Sequence, residues 1–373
     1  MRKFQLHVLW RIDESSYANR LILDSKEYDH YVICLKNTVS NPQFTEVLKG
    51  LKIIWLLEFI FWKLCNRNDN GLFTGSSLFG EMPWKIIQSF IRKIDDCNII
   101  LHWIGYNMLD LQKIKLNQPA KIILHDFHLI SGGCHIVGDC NTFSGCDLCP
   151  KSNRKTGARK QKIQALYSQG KIKFYAPSEY VQERIKPIHS EIVYAPAIIK
   201  NFSHRYNPIK NVYKLAVIGA AKEIPTKGYQ KIKNILAKVI SSNQSEILLF
   251  TVGSRLNLPN EINSVRLNSE SIFKLLAECD LLLQPSEYET FSQITLESTF
   301  QNTPVIAWDN SGPASILTNE KNGFLIPAFD EEKFYQKIQE NLSFKRKNLR
   351  SIRIHNKELE LKILLRNKTV LKS

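Results

Sequence analysis

The sequence predicts an α/β protein of two domains, each a parallel β-sheet covered by helices, and three observations lead there. The chain has 373 residues, more than one hydrophobic core usually organises. Short runs rich in Val, Ile and Leu alternate with helical patterns, as buried parallel strands and their crossover helices do. That alternation stops in a polar, proline-marked stretch, 191–211, and then begins again. With 43% hydrophobic and 10% aromatic residues there is material for two cores.

Taken in order, "QLHVLW", "HYVICL", "NIILHWIG" and "AKIILHD" read as the first strands, with "WKIIQSFIRKID" as a helix among them. "KFYAPSEY" reads as a strand running to Pro177 and Ser178, and Ser178 suits the N-cap of a helix through "EYVQERI". After the boundary come the strands "KLAVIGAA" and "EILLFTVGS", the helix "SIFKLLAECD", the strand "LLLQPS", a helix after Phe291 and the strand "TPVIAW". The expected domains are 1–200 and 212–340, followed by a basic helical tail, 341–373.

The formal charge of +16 implies an anionic partner: nucleic acid, an acidic membrane surface or a phosphorylated substrate. From Lys345 to the end, ten Lys or Arg stand against Glu358 and Glu360, half of the total excess. Such a run is either a solvated face or a site for an anionic surface. The opening "MRKFQLHVLWRIDESS" turns polar too soon for a secretion signal, so a cytoplasmic location is expected, with cysteines free or metal-bound. "LKIIWLLEFIFWKLC", 51–65, is too short and too charged to span a bilayer. It reads equally as a buried amphipathic helix or as one lying in a membrane interface.

The chemistry concentrates in three places. In "LLLQPSEYETFSQITLE", Glu289 falls in a loop at a strand's carboxyl end and Glu297 about two turns into the next helix. Carboxylates there can accept hydrogen bonds from sugar or ribose hydroxyls, and the helix start at Thr290, Phe291 and Ser292 offers backbone N–H groups to a phosphate. In "IGAAKEIPTKG", Lys222 and Lys227 flank a turn expected at the same ligand-binding end, where two ammonium groups suit a diphosphate. The third is a cysteine cluster, Cys134, Cys140, Cys146 and Cys149, whose final C-x2-C suits a structural zinc while its other spacings match no standard finger. With no open set of His and Asp ligands evident beside it, that zinc would not be catalytic.

"ETFSQITLE", followed by "NTPVIAWDNSGPASILTNEKNGFLI" and preceded by "KEIPTKG", resembles the donor-binding half of family-4 glycosyltransferases, retaining enzymes of the GT-B fold. "LHDFHLISGGCHIVGDCNTFSGCDLCP" and "LHWIGYNMLDL" look like segments of the colanic-acid-type subgroup that builds bacterial surface polysaccharides. The resemblance implies two Rossmann-like domains facing each other across a cleft. It implies that Glu289 contacts the transferred sugar, Glu297 the ribose, and Lys222 with Lys227 the diphosphate. Phe291 and Ser292 would present amides to that diphosphate, and the loop of Gly312 would lie against the donor sugar. His125, ending "KIILH", matches a histidine that faces the sugar; His102 and His128 have weaker claims on a site role.

This sequence departs from the family pattern where "RIDESSYANR" lacks glycine, where Lys222 replaces an arginine and where Ser292 replaces a glycine. The implied activity is transfer of a sugar, with retention, from a nucleotide-diphosphate donor to a glycan or lipid-linked oligosaccharide in O-antigen, capsule or exopolysaccharide synthesis. It needs no cofactor for catalysis and no nucleic acid, and it would work at the inner face of the plasma membrane against anionic lipid. The alternatives are a nucleic-acid-binding protein with a knuckle-like cysteine cluster, which leaves the glutamates unexplained, and a nucleotide-sugar epimerase of the same fold.

Overall fold

A computed structural model describes residues 3–12, 17–24, 28–37, 82–92, 97–102, 115–131, 134–138, 157–186, 188–192, 211–243, 245–318 and 320–343, with single positions between them. The chain divides at Pro196/Ala197 into two compact units. The expected linker begins with a strand, Ser190–Ile192; 193–208 and the tail from 344 lie outside the described residues.

The first unit runs β1 (Lys3–Ile12), α1 (Tyr17–Asp24), β2 (Tyr28–Asn37), α2 (Met82–Ile91), β3 (Cys97–Leu101), β4 (Ala120–Ile123), α3 (Gly157–Ser168), β5 (Ile172–Ala176), α4 (Glu179–Arg184) and β6 (Ser190–Ile192). Its strands form one parallel sheet in the order β2-β1-β3-β4-β5-β6. Ser178 caps α4 as expected, its Oγ accepting from Val181 N at 3.2 Å. Leu6, Val8, Ile99, Leu101, Ile122 and Phe174 are buried along neighbouring strands of this sheet.

The second unit runs β7 (Val212–Ala220), α5 (Tyr229–Ser242), β8 (Glu246–Gly253), β9 (Glu261–Ser264), α6 (Ser269–Glu278), β10 (Leu281–Gln284), α7 (Gln293–Phe300), β11 (Val305–Trp308), β12 (Gly323–Ile326) and α8 (Glu331–Ser343). Its parallel order is β12-β11-β10-β7-β8-β9. β10 and β11 are buried along their whole length, as strands covered on both faces must be. α5 packs by helical period: Ile232, Ile235, Leu236 and Val239 are buried at i, i+3, i+4 and i+7, each contributing about 1.5–3 kcal/mol.

Strand order locates where each sheet can bind. Ligands of open parallel sheets sit beyond the carboxyl ends of the strands where the winding direction reverses. In the second unit that point lies between β7 and β10, so the loops leaving these strands, which carry Lys222, Lys227 and Glu289, flank it. In the first it lies between β1 and β3, beside His7 and His102.

Candidate functional site

Three loops of the second unit are locked together at the carboxyl end of its sheet. After β7 the chain makes a short 3-10 turn, Pro225–Lys227, and Gly228 follows with a left-handed φ of 66°. A Cβ at Gly228 would stand 2.0 Å from the Pro285 carbonyl oxygen, so only glycine lets this turn lie against the end of β10. Glu287 N donates to the Thr226 carbonyl at 2.8 Å, joining the two loops by their backbones. Two ion pairs complete the join, Lys227–Glu289 at 2.6 Å and Lys231–Glu287 at 2.9 Å.

The loop after β11 closes the other side. Gly312 N donates to the Glu289 carbonyl at 2.7 Å, and a Cβ at Gly312 would come within 2.5 Å of the Phe291 backbone. Asn310 Nδ2 donates to the Glu287 carbonyl at 2.9 Å. Beneath, the buried Trp308 donates from Nε1 to the Pro285 carbonyl at 3.0 Å and packs on Phe334. Sequence reasoning named Lys227, Glu289 and Gly312 but missed Lys231, Glu287, Asn310 and Trp308. The available signal was closeness in sequence: Lys231 lies in the first turn of α5, four residues after Lys227 in the turn that precedes it.

Ser292 occupies the N-cap of α7 with φ 74°, ψ 77°, the left-handed region that favours glycine. Two contacts hold it there: its Oγ accepts from Gln284 Nε2 at 2.8 Å and meets Thr295 Oγ1 at 2.8 Å. Glu297 is the fifth residue of α7, one turn in rather than the two expected, and is buried. Thr290 is half-buried and Phe291 buried beside it. Lys222 is exposed, and its backbone N–H donates to Ser254 Oγ at 3.0 Å; no contact joins its side chain to the Lys227–Glu289 pair.

The first unit brings together what its sequence scatters. His7 Nε2 meets His30 Nδ1 at 3.0 Å, His7 Nδ1 meets His102 Nε2 at 3.0 Å, and His102 Nδ1 meets His125 Nε2 at 3.3 Å. Four imidazoles thus form a string across β2, β1, β3 and β4. Burial and the neighbouring His30 hold His7 well below the usual imidazole range, and burial with His7 and His125 does the same to His102. His125 falls to about 4 through burial, which with His128 outweighs the opposing charge of Asp126. A neutral imidazole has one N–H, and each contact needs one donor and one acceptor. The four therefore share a tautomer: all carry the proton on Nε2, or all on Nδ1. The state of His125 Nδ1, bare acceptor or N–H donor, is fixed by its neighbours.

Next to His125, the Asp126 carboxylate faces two more rings. His135 Nδ1 lies 2.7 Å from Oδ2, and His128 Nδ1 is in contact with Oδ1. Burial raises this carboxyl, but the two imidazoles outweigh it and hold it well below the usual range. Sequence reasoning gave His128 no such partner and saw no His/Asp set. Of the cysteine cluster, Cys134 and Cys140 are half-buried, whereas Cys146 and Cys149 lie outside the described residues, as does the loop near Ser15.

Among known proteins, residues 198–358 match the family described as glycosyl transferases group 1. A GDP-mannose-dependent alpha-mannosyltransferase of Mycolicibacterium smegmatis is 27% identical over 128 residues, 34% of this chain and 30% of that protein, so the match spans under a third of the relative. Three solved structures match over nearly the whole chain. A glycosyltransferase from Rickettsia africae has TM-score 0.65 at 14% identity, covering 100% of this chain and 98% of that one. WaaG, a glycosyltransferase involved in lipopolysaccharide biosynthesis, has TM-score 0.59 at 14% identity, covering 98% and 94%. A structure described as trehalose-6-phosphate from E. coli bound with UDP-2-fluoro glucose has TM-score 0.66 at 10% identity, covering 99% and 98%. At such identities the likeness establishes the fold: two six-stranded parallel sheets of the GT-B type.

Proposed function

We propose that this chain is a retaining glycosyltransferase whose second unit binds a nucleotide-diphosphate sugar. The observation that carries the reading is the lock of the loops after β7, β10 and β11 around Lys227 and Glu289, inside the stretch that matches the group 1 family. Glu289 accepts hydrogen bonds from the transferred sugar, and Glu297 binds the ribose. Lys227 and Lys222, with the amides of Phe291 and Ser292 at the start of α7, hold the diphosphate and stabilise the charge that develops as it departs. Retention requires the acceptor oxygen to join the anomeric carbon on the face the phosphate oxygen leaves, while the acceptor's hydroxyl proton passes to the departing phosphate. The Lys227–Glu289 pair keeps both groups in place until a donor arrives.

The acceptor we propose is a glycan or lipid-linked oligosaccharide of a bacterial surface polysaccharide, met at the inner face of the plasma membrane. Within 51–65, the described positions Ile53, Leu56, Leu57 and Ile60 are helical, spaced i, i+3, i+4, i+7, and exposed. An exposed apolar stripe beside Lys49, Lys52 and Lys63 suits insertion into an anionic interface better than burial in a core. The aromatic residues of this segment lie outside the described positions. Among the described residues no helix is long and apolar enough to cross a membrane.

The test is turnover with a panel of GDP-, UDP- and ADP-sugars, GDP-mannose first because a curated relative uses it, with lipid-linked acceptors and NMR of the product's anomeric centre. Transfer with retained configuration is expected. Conversion of a donor with no acceptor present would mark an epimerase instead, and inverted product would overturn the mechanism.

A further inference from the structure

We propose that Asp126, His128 and His135 form a binding site for a divalent transition metal, zinc by the chemistry of its ligands, in the loop that follows β4. Among the described residues their ligand atoms converge, all lying within 4.8 Å of one another. The His128, His135 and Asp126 side chains are 2%, 8% and 15% exposed, so the donors face each other rather than water.

The backbone is built to make them meet. Asp126 comes three residues after the end of β4, and its Oδ1 also accepts from the backbone N of His128 at 3.0 Å, folding the turn onto the carboxylate. Phe127 N donates to the His135 carbonyl at 3.2 Å, returning the far side of the loop to the same point. Arg184 of α4 donates to the Gly138 carbonyl, fixing the loop's exit to the sheet's own helix. The loop has almost no regular structure, yet Phe127, Leu129, Ile130 and Val137 are buried in the core of the first unit. A metal ion held by all three side chains would cross-link this segment and add to its stability.

Two imidazoles and a carboxylate are the donor set of zinc, and also of manganese and iron(II), with a position open for water or a further ligand. Zinc at about 2.0–2.1 Å from each donor sets tetrahedral ligands about 3.3 Å apart, so seating it parts the Asp126–histidine contacts by only a fraction of an ångström to an ångström. Metal-binding residues also crowd this stretch. Half of the chain's eight cysteines and a third of its nine histidines fall between positions 125 and 149. The three residues lie wholly in the first unit.

The full-length chain, purified without chelator, is analysed for metal as wild type, as His135→Gln and as Cys146→Ser/Cys149→Ser, with folding followed by circular dichroism. The expected result is about one zinc per chain in the wild type and in the cysteine variant, with affinity at least tenfold weaker in His135→Gln. Cobalt exchanged into the wild type gives a reading that needs no variant. Visible d–d bands without strong thiolate-to-cobalt charge transfer support the imidazole and carboxylate ligands. A wild type that neither retains zinc nor takes up cobalt overturns the proposal. So does metal held undiminished by His135→Gln, or a thiolate-dominated spectrum with metal lost in the cysteine variant.

Discussion

The two units solve one problem with opposite means. In the second, the candidate site is made by main chain: the loops after β7, β10 and β11 are joined by backbone hydrogen bonds and two near-contact glycines, and the charged side chains ride on that frame. In the first, it is made by side chains, with residues 7, 30, 102 and 125 strung together across four strands by ring nitrogens. A site framed by backbone is sensitive to shape. A site strung from imidazoles is sensitive to protons.

The strongest way to break the second unit's frame is Gly228→Ala. The added methyl meets the Pro285 carbonyl in a left-handed backbone, and overpacking with that conformation together cost about 2–5 kcal/mol. Calorimetry should show that loss, with nucleotide binding abolished, while cobalt or zinc in the first unit is unaffected. Lys227→Met should weaken donor binding by about 1.5–3 kcal/mol, or roughly 10–100-fold in Kd, because a charge-assisted contact to the diphosphate is removed. Isothermal titration with the best donor measures it.

Acidity acts with opposite sign on His7 and His102 in the first unit and on Asp280 in the second. His7 and His102 are held below their unfolded value of about 6.5, so the unfolded chain binds more protons. Their contribution is present above pH 6.5 and is lost as pH falls below it. Asp280, which accepts from Lys214 N at 2.7 Å, is pushed up to about 7 by burial, partly opposed by that hydrogen bond. Its contribution is present below about pH 4, the unfolded value, and is lost as pH rises through 7. Asp280→Asn should therefore gain on the order of 2 kcal/mol over wild type at pH 8 and nothing at pH 4. His7→Asn should flatten the acid side instead. Denaturant midpoints across pH decide both.

The smallest expected effect is Ser292→Gly. Relieving the left-handed φ returns about 1 kcal/mol, and losing the contacts to Gln284 and Thr295 removes a similar amount, so the midpoint should barely move. Ser292→Ala keeps the strain and loses the bonds, and should fall below both.

The same contrast explains what was legible in the sequence. Strands with Val/Ile/Leu runs, the Ser178 cap and the loops bearing Lys227 and Glu289 declare themselves locally. β9, "EINS", and β12, "GFLI", are four-residue strands at or next to a sheet edge, too short to show a pattern. Glu297 lay nearer the helix start than expected because α7 begins only at Gln293. The histidine string was invisible because its members are 23 to 95 residues apart in pairs and meet only through sheet register. Asp126, His128 and His135 are close in sequence, yet it is the loop's return from Phe127 to His135 that turns them together.

The central claim is a donor site in the second unit, and thermal shift with GDP, UDP, ADP and their sugars on wild type and Glu297→Ala tests it most directly. The account predicts that one nucleotide raises the wild-type midpoint and leaves that of Glu297→Ala unmoved from its own ligand-free value. A wild type that no nucleotide stabilises, or an equal rise in both proteins, would contradict it.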